Sequence, residues 1–359
     1  MIKNKPSKLK ALGSWCLYDW ANSAFPTVII TFIFSSYFSK VVANNPIDGM
    51  AVWSAMISAS AIAVAIFAPI IGIIIDKNGQ KKSWIFLFTI ICSIASASLW
   101  FVEGHSNFVI ICIVLVGVAN FSFEMSMVIY NSMLAKIAPK AELGWWSGMG
   151  WSLGYFGGLA SLGIILMLFV NPESPPLELD PKRYEHIRIS GPFVALWFLF
   201  FSIPLFIWFI GDKKKQPNID YHAKNIFLQL THALKHIKKR PDIWRFLLGR
   251  MIYIDGLNTL LSIGGIYAAG TFNFSFKDIL IFGIAINISA GIGSSLAGKI
   301  DDLIGPRRTI MISLSSITII SIILIVIKSE FYFWIFGIAL GLFVGPIQSA
   351  SRVLMAKLA

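Results

Sequence analysis

Apolar runs of membrane length dominate the chain. The segments 24–42, 51–75, 84–102, 108–134, 147–170 and 191–211 each reach or approach the roughly 20 residues that cross a bilayer as a helix. The run 257–271, extended back to Phe246 through a more polar start, joins 279–297, 309–327 and 331–351 to complete ten predicted spans. The pattern predicts an all-α polytopic membrane protein. Polar positions collect in the connections, and the longest, 212–243, separates six spans from four. It opens on Asp212-Lys213-Lys214-Lys215 and breaks at Pro217. Ile226, Leu230, Leu234 and Ile237 then recur near helical spacing, with Lys235, Lys238 and Lys239 on other faces, which predicts an amphipathic helix on the membrane surface. The expected domains are therefore an N-terminal six-helix bundle (1–211), a cytoplasmic linker (212–243) and a C-terminal bundle of four spans (244–359). The segment 171–190, rich in Pro and charge, reads as an irregular cap between spans.

Charge fixes an orientation. Only 13% of residues are charged, against about a quarter in soluble domains. Counting loops from a cytoplasmic N-terminus places 24 of the 30 Lys and Arg on the inner side. That asymmetry accounts for the net charge of +12 as topogenic charge facing anionic lipid, with no nucleic-acid partner needed. The expected setting is a multi-pass protein of a bacterial-type inner membrane, a monomer whose partners are lipid and a small solute. The basic start resembles a signal peptide, but the apolar stretch is too long and shows no convincing cleavage site, so it reads as an uncleaved first span. Cys16, Cys92 and Cys112 lie in or beside spans and imply no disulfide framework. His232 and His236 are four apart without a third ligand nearby, so no metal or other cofactor is expected.

Three features of the first half recur in the second, in order. Asp19-x-x-Asn22-Ser23 follows Tyr18 on the first span, and Asp255-x-x-Asn258-Thr259 follows Tyr253 on the seventh. Gly72-x-x-x-Asp76-x-x-Gly79-x-Lys81-Lys82 after the second span returns as Gly298-x-x-x-Asp302-x-x-Gly305-x-Arg307-Arg308 after the eighth, every spacing kept. Met133-Leu134-Ala135-Lys136-Ile137-Ala138 is echoed by Leu354-Met355-Ala356-Lys357-Leu358-Ala359. Spans 1–4 and 7–10 are thus parallel copies six spans apart, the architecture of major facilitator transporters. A full second copy would add two helices after Ala359, so the second half is expected to be cut short after its tenth span.

The loop motif at 72–82 and 298–308 resembles the signature of the major facilitator superfamily. Trp15-x-x-Tyr18-Asp19-Trp20-Ala21-Asn22-Ser23-Ala24-Phe25 resembles the first-span hallmark of its vacuole-effluxer-like (autophagy-related) branch and bacterial relatives. Ser147-Gly148-x-Gly150-x-x-x-Gly154-Tyr155-x-Gly157-Gly158, Tyr253-x-Asp255-Gly256 and Gly345-Pro346-x-Gln348-Ser349-x-Ser351-Arg352 carry the likeness along the chain. The resemblance implies a secondary transporter that exports amino acids or similar metabolites by alternating access, not an enzyme. An efflux or uptake permease with another solute is the alternative. From a different class come a non-transporting receptor or scaffold and a membrane-embedded enzyme; no His lies near a Ser or Cys in a recognisable catalytic arrangement.

Asp19, Glu124 and Asp255 are the acidic residues within the predicted spans. A carboxylate in hydrocarbon costs a few kcal/mol even on lenient scales, so each should face a partner or a wet cavity. They are candidates for a proton pathway, with Asn22 and Asn258 one turn on; a static packing bond is the other reading. Tyr130, Asn131, Tyr155 and Gln348 are candidates for contact with the solute. Asp76, Gly79 and Lys81, with Asp302, Gly305 and Arg307, are candidates for an inner gate, the carboxylates pairing with basic or helix-terminal groups nearby. The glycines of 148–158 suit a helix that packs closely and slides.

Overall fold

A computed structural model describes residues 8–170, 177–209 and 239–358 of the chain. Among them ten helices are long and apolar enough to cross a membrane. They are α1 (Lys8–Val42), α2 (Pro46–Asn78), α3 (Lys81–Phe101), α4 (Ser106–Ile137), α5 (Lys140–Val170), α6 (Glu185–Trp208), α7 (Pro241–Phe272), α8 (Phe276–Ile304), α9 (Pro306–Val326) and α10 (Glu330–Leu358). The amphipathic helix expected in the linker falls mostly at 210–238, outside the described residues.

Several helices outrun their apolar stretches. α1 starts at Lys8, which places Asp19 well inside it, and α8 continues past residue 297 to Ile304, taking Asp301 and Asp302 into the helix. Apolarity marks only the lipid-facing length; the hydrogen-bond ladder runs on until a residue ends it. Here the repeated glycines do so. Gly79 sits at φ 63°, its N–H bonded to the Ile75 carbonyl at 2.8 Å. Gly305 has φ 89° and ψ 151°, a region open essentially to glycine alone, and its N–H meets the Asp301 carbonyl at 2.9 Å. Pro306 then opens α9, where its missing N–H costs nothing. At the other end of α8, Ser275 and Asp278 form a reciprocal capping box. Within α1, Pro26 lacks the amide that the ladder needs, and the helix widens to π geometry over Phe25–Phe32 and again over Phe38–Val42.

Packing separates the chain into two units. One holds the helices up to Ser132 together with the chain from Gly157 through α6; the other holds Met133–Phe156 and the helices from α7 onward. α5 therefore gives its first half to one unit and its second half to the other. In the first unit α4 packs on α3 and α2, and α6 packs on α1 and α3. In the second, α10 packs on α9 and α8, repeating the α4 arrangement, with α7 more lightly attached. Trp15, Tyr18, Tyr130, Phe25 and Phe198 are fully buried in the first core. Phe272, Phe274, Phe282 and Phe333 interlock in the second, ring centroids 4.6–6.2 Å apart. Outward-facing Ile110, Leu196 and Ile325 are exposed, the surface that lipid solvates.

Candidate functional site

In the first unit the hallmark residues build one buried knot. Trp15, Tyr18 and Asp19 share a turn of α1, and Tyr130 reaches them from α4. The rings of Trp15 and Tyr130 stack 4.5 Å apart, and Trp15 Nε1 donates to the Tyr130 carbonyl at 3.2 Å. The Tyr130 hydroxyl lies 2.7 Å from Asp19 Oδ2 and 3.0 Å from the Trp15 carbonyl. With one proton to give, it favours the carboxylate, the stronger acceptor. Tyr18 meets Thr89 Oγ1 of α3 at 2.8 Å. Asp19, 4% exposed, is thus fastened between α1 and α4. Asn22 donates not to Asp19 but to Met127 Sδ of α4 at 3.2 Å.

Glu124 stands apart from that knot. It is half-buried and lies seven residues, about 10 Å at 1.5 Å per residue, from Asn131, where the α-helix of α4 gives way to a turn. No described residue gives it a hydrogen bond or an ion pair. It belongs to a stripe of α4 formed by Asn120, Glu124, Met127 and Asn131, spaced so that all four share one flank. Asn120 donates to Ser60 Oγ of α2 at 3.0 Å, and Met127 receives Asn22 of α1. The stripe is therefore bordered by polar groups of α1 and α2. Lys81, by contrast, is 5% exposed and serves the end of α4: its Nζ donates to Ser132 Oγ at 2.7 Å and to the Ser132 carbonyl at 3.3 Å. A cation there complements the negative end of the helix. The side chain of Asp76 lies outside the described residues.

The second unit gathers its chemistry around the start of α5. The Asp302 carboxylate accepts from the backbone N–H of Gly144 at 2.7 Å and of Trp145 at 2.8 Å, one oxygen to each. A turn further on, the Arg352 guanidinium from α10 donates to the Ser147 carbonyl at 2.6 Å and to Ser147 Oγ at 2.9 Å. It also sits 5.6 Å from the Trp151 ring, while Ser147 Oγ donates to the Ser349 carbonyl at 2.9 Å. Between these fastenings the backbones nearly touch. A Cβ on Gly148 would fall against the Ser294 carbonyl and 3.0 Å from Gly298 Cα; one on Gly298 would lie 2.8 Å from the Gly144 carbonyl. Gly72, the first-half counterpart of Gly298, has no such neighbour.

The remaining candidates fall elsewhere. Tyr155 packs on the apolar core of the second unit and Gln348 is half-buried on α10. Asp255, Asn258 and Arg307 are exposed, and Thr259 Oγ1 bonds the Asp255 carbonyl. Tyr253 meets Ser351 at 2.5 Å, an α7–α10 link. No described group of His, Cys, Asp and Glu is arranged to hold a metal; His232 and His236 lie outside the described residues. Sequence reasoning overlooked Arg352, Ser147 and Asp301. Arg352 passed as one more inner-face charge, although its place in Gln348-Ser349-x-Ser351-Arg352 within a membrane-length helix was the available signal.

Comparison with known proteins gives the family. Residues 146–359 match the model of a family described as vacuole effluxer Atg22 like. An uncharacterised MFS-type transporter of Bacillus subtilis, YxiO, is 26% identical over 97% of this chain and 81% of its own length. Autophagy-related protein 22 of Kluyveromyces lactis is 24% identical over 79% of this chain and 63% of its own length. Among solved structures, a proton:xylose symporter of the major facilitator superfamily, XylE, aligns over 98% of this chain and 81% of its own with a TM-score of 0.66 at 12% identity, a likeness of fold.

Proposed function

The chain belongs to the vacuole effluxer Atg22 like family of major facilitator transporters, and from that premise we propose that it exports amino acids or related small metabolites, coupling the flux to protons through Glu124. The observation that carries the reading is the contrast between two carboxylates. Asp19 is fastened by Tyr130, whereas Glu124, deep in α4, has no described donor or cation to hold it in one charge state. A carboxyl group in that position is the one free to take a proton from one face and release it at the other. The stripe around it, Asn120, Met127 and Asn131 with Asn22 and Ser60 alongside, offers amide and hydroxyl groups for a polar solute.

Alternating access requires a part that moves, and α5 is the proposed one. Its first half is held by Asp302 and Arg352 through backbone groups and one serine hydroxyl, and its glycines let it leave and return without side-chain interlock. The orientation set by the charge bias puts this end of the helix at the cytoplasm. Asp302 is then the latch of an inner gate, with Asp76 as its counterpart in the first half. The test is efflux of labelled amino acids from proteoliposomes with and without an imposed pH gradient. Gradient-stimulated efflux of any amino acid is the expected result. Flux confined to sugars, nucleosides or drugs would overturn the solute assignment, and amino-acid flux indifferent to the gradient would overturn the coupling.

A further inference from the structure

The gate reading leaves one buried group unused. Asp301 precedes the latch residue, is 2% exposed, and has no hydrogen-bond partner for either carboxylate oxygen among the described residues. Its counterpart in the first-half repeat, one residue before Asp76, is Ile75, which is 3% exposed. The fold therefore makes this an apolar position, and the second half fills it with a carboxylate. A bare carboxylate without donors in such a place is among the least favourable arrangements a protein can hold. Of the charges near it, Lys357 of α10 favours the carboxylate but is exposed to solvent, and Asp302, next on the same helix, acts against a second negative charge. Lys299, also on α8, is turned to the Trp145 ring at 4.9 Å. The start of α5 brings Lys140 and Glu142, both exposed, and a Cβ on Gly144 would lie 2.9 Å from Asp301 Cβ, so the seated α5 closes over the site.

We propose that Asp301 is a proton-binding site that senses the gate, carrying a proton while the start of α5 is seated and releasing it to cytoplasmic water when α5 withdraws. The inference rests on the gate reading above. The proton balance is simple: the carboxylic acid loses one proton to water at the opened face and regains one from that face when the helix reseats. One proton released per opening makes the open-to-seated ratio rise by up to about tenfold per pH unit. The transporter thus opens inward more readily as the cytoplasm becomes alkaline, and acid holds the gate shut.

The test uses the whole protein in nanodiscs with Cys16, Cys92 and Cys112 replaced by Ser. Ser147, fully buried on α5 with its side chain against the Ser349 carbonyl of α10, is changed to Cys as a reporter reached only when α5 withdraws. Its maleimide labelling is expressed as a ratio to labelling of an exposed Lys140→Cys, which removes the intrinsic pH dependence of the thiol. The ratio is expected to rise at least tenfold between about pH 5 and about pH 8. Asp301→Asn, a neutral side chain of the same shape, flattens the profile at the low, seated value. Asp302→Asn raises labelling at every pH while keeping the slope. A flat profile in the unmodified protein, or an unchanged slope in Asp301→Asn, overturns the proton site. Labelling unaffected by Asp302→Asn overturns the gate reading itself, so the two failures are told apart.

Discussion

Replacing Asp302 by Ala removes both fastenings at the first turn of α5, the bonds from Gly144 and Trp145 at 2.7 and 2.8 Å. Hydrogen bonds to a charged group contribute about 1.5–3 kcal/mol each when sealed from water. Asp302 is only half-buried, however, and the two N–H groups regain water once α5 leaves. The lower range for helix capping, about 0.5–2 kcal/mol, with about 0.3–1 kcal/mol from the helix dipole, is the better guide. The sum, about 1–3 kcal/mol, shifts the seated-to-withdrawn ratio by about 5- to 150-fold. Labelling of the Ser147→Cys reporter should rise by that factor. Asp302→Glu, which keeps the charge but moves it by a methylene, should give an intermediate value. Labelling that stays within about twofold of the parent in Asp302→Ala would refute the latch, because the bonds would then hold nothing the cycle has to break.

Other outcomes follow from neighbouring contacts. Gly148→Leu forces a side chain against the Ser294 carbonyl and Gly298; overpacking of about 1–3 kcal/mol should unseat α5, giving high reporter labelling and slow transport in a protein that still folds. Tyr130→Phe strips a donor from a buried carboxylate and should cost about 1–3 kcal/mol of stability, read as a lower melting midpoint in detergent, with solute preference unchanged.

What the sequence made legible was periodic. The ten spans followed from apolar runs, and the parallel repeat followed from Gly72–Lys82 and Gly298–Arg308. The turn glycines of both copies, Gly79 and Gly305, end helices as a loop signature would require. Less legible were residues whose roles depend on what another helix brings. Asp19 and Glu124 look alike in sequence; the Tyr130 hydroxyl, brought from α4 to Asp19, separates them. Lys81 and Arg307 share a motif position, yet one is buried at the end of α4 and the other exposed. Nor does anything local divide α5 between two units. That follows from Gly148 meeting α8 and Gly157 meeting the Trp20 backbone of α1.

Glu124→Gln tests the central claim most directly, measured in two modes on the same proteoliposomes. A residue that carries the coupling proton is needed for flux driven by a pH gradient, but not for one-for-one exchange of labelled against unlabelled solute, which moves no net proton. A residue that only binds the solute is needed for both. The account predicts that Glu124→Gln loses gradient-driven efflux and keeps exchange, while Asp19→Asn, where it folds, keeps the gradient response. Glu124→Gln that still responds to the gradient like the parent would contradict it.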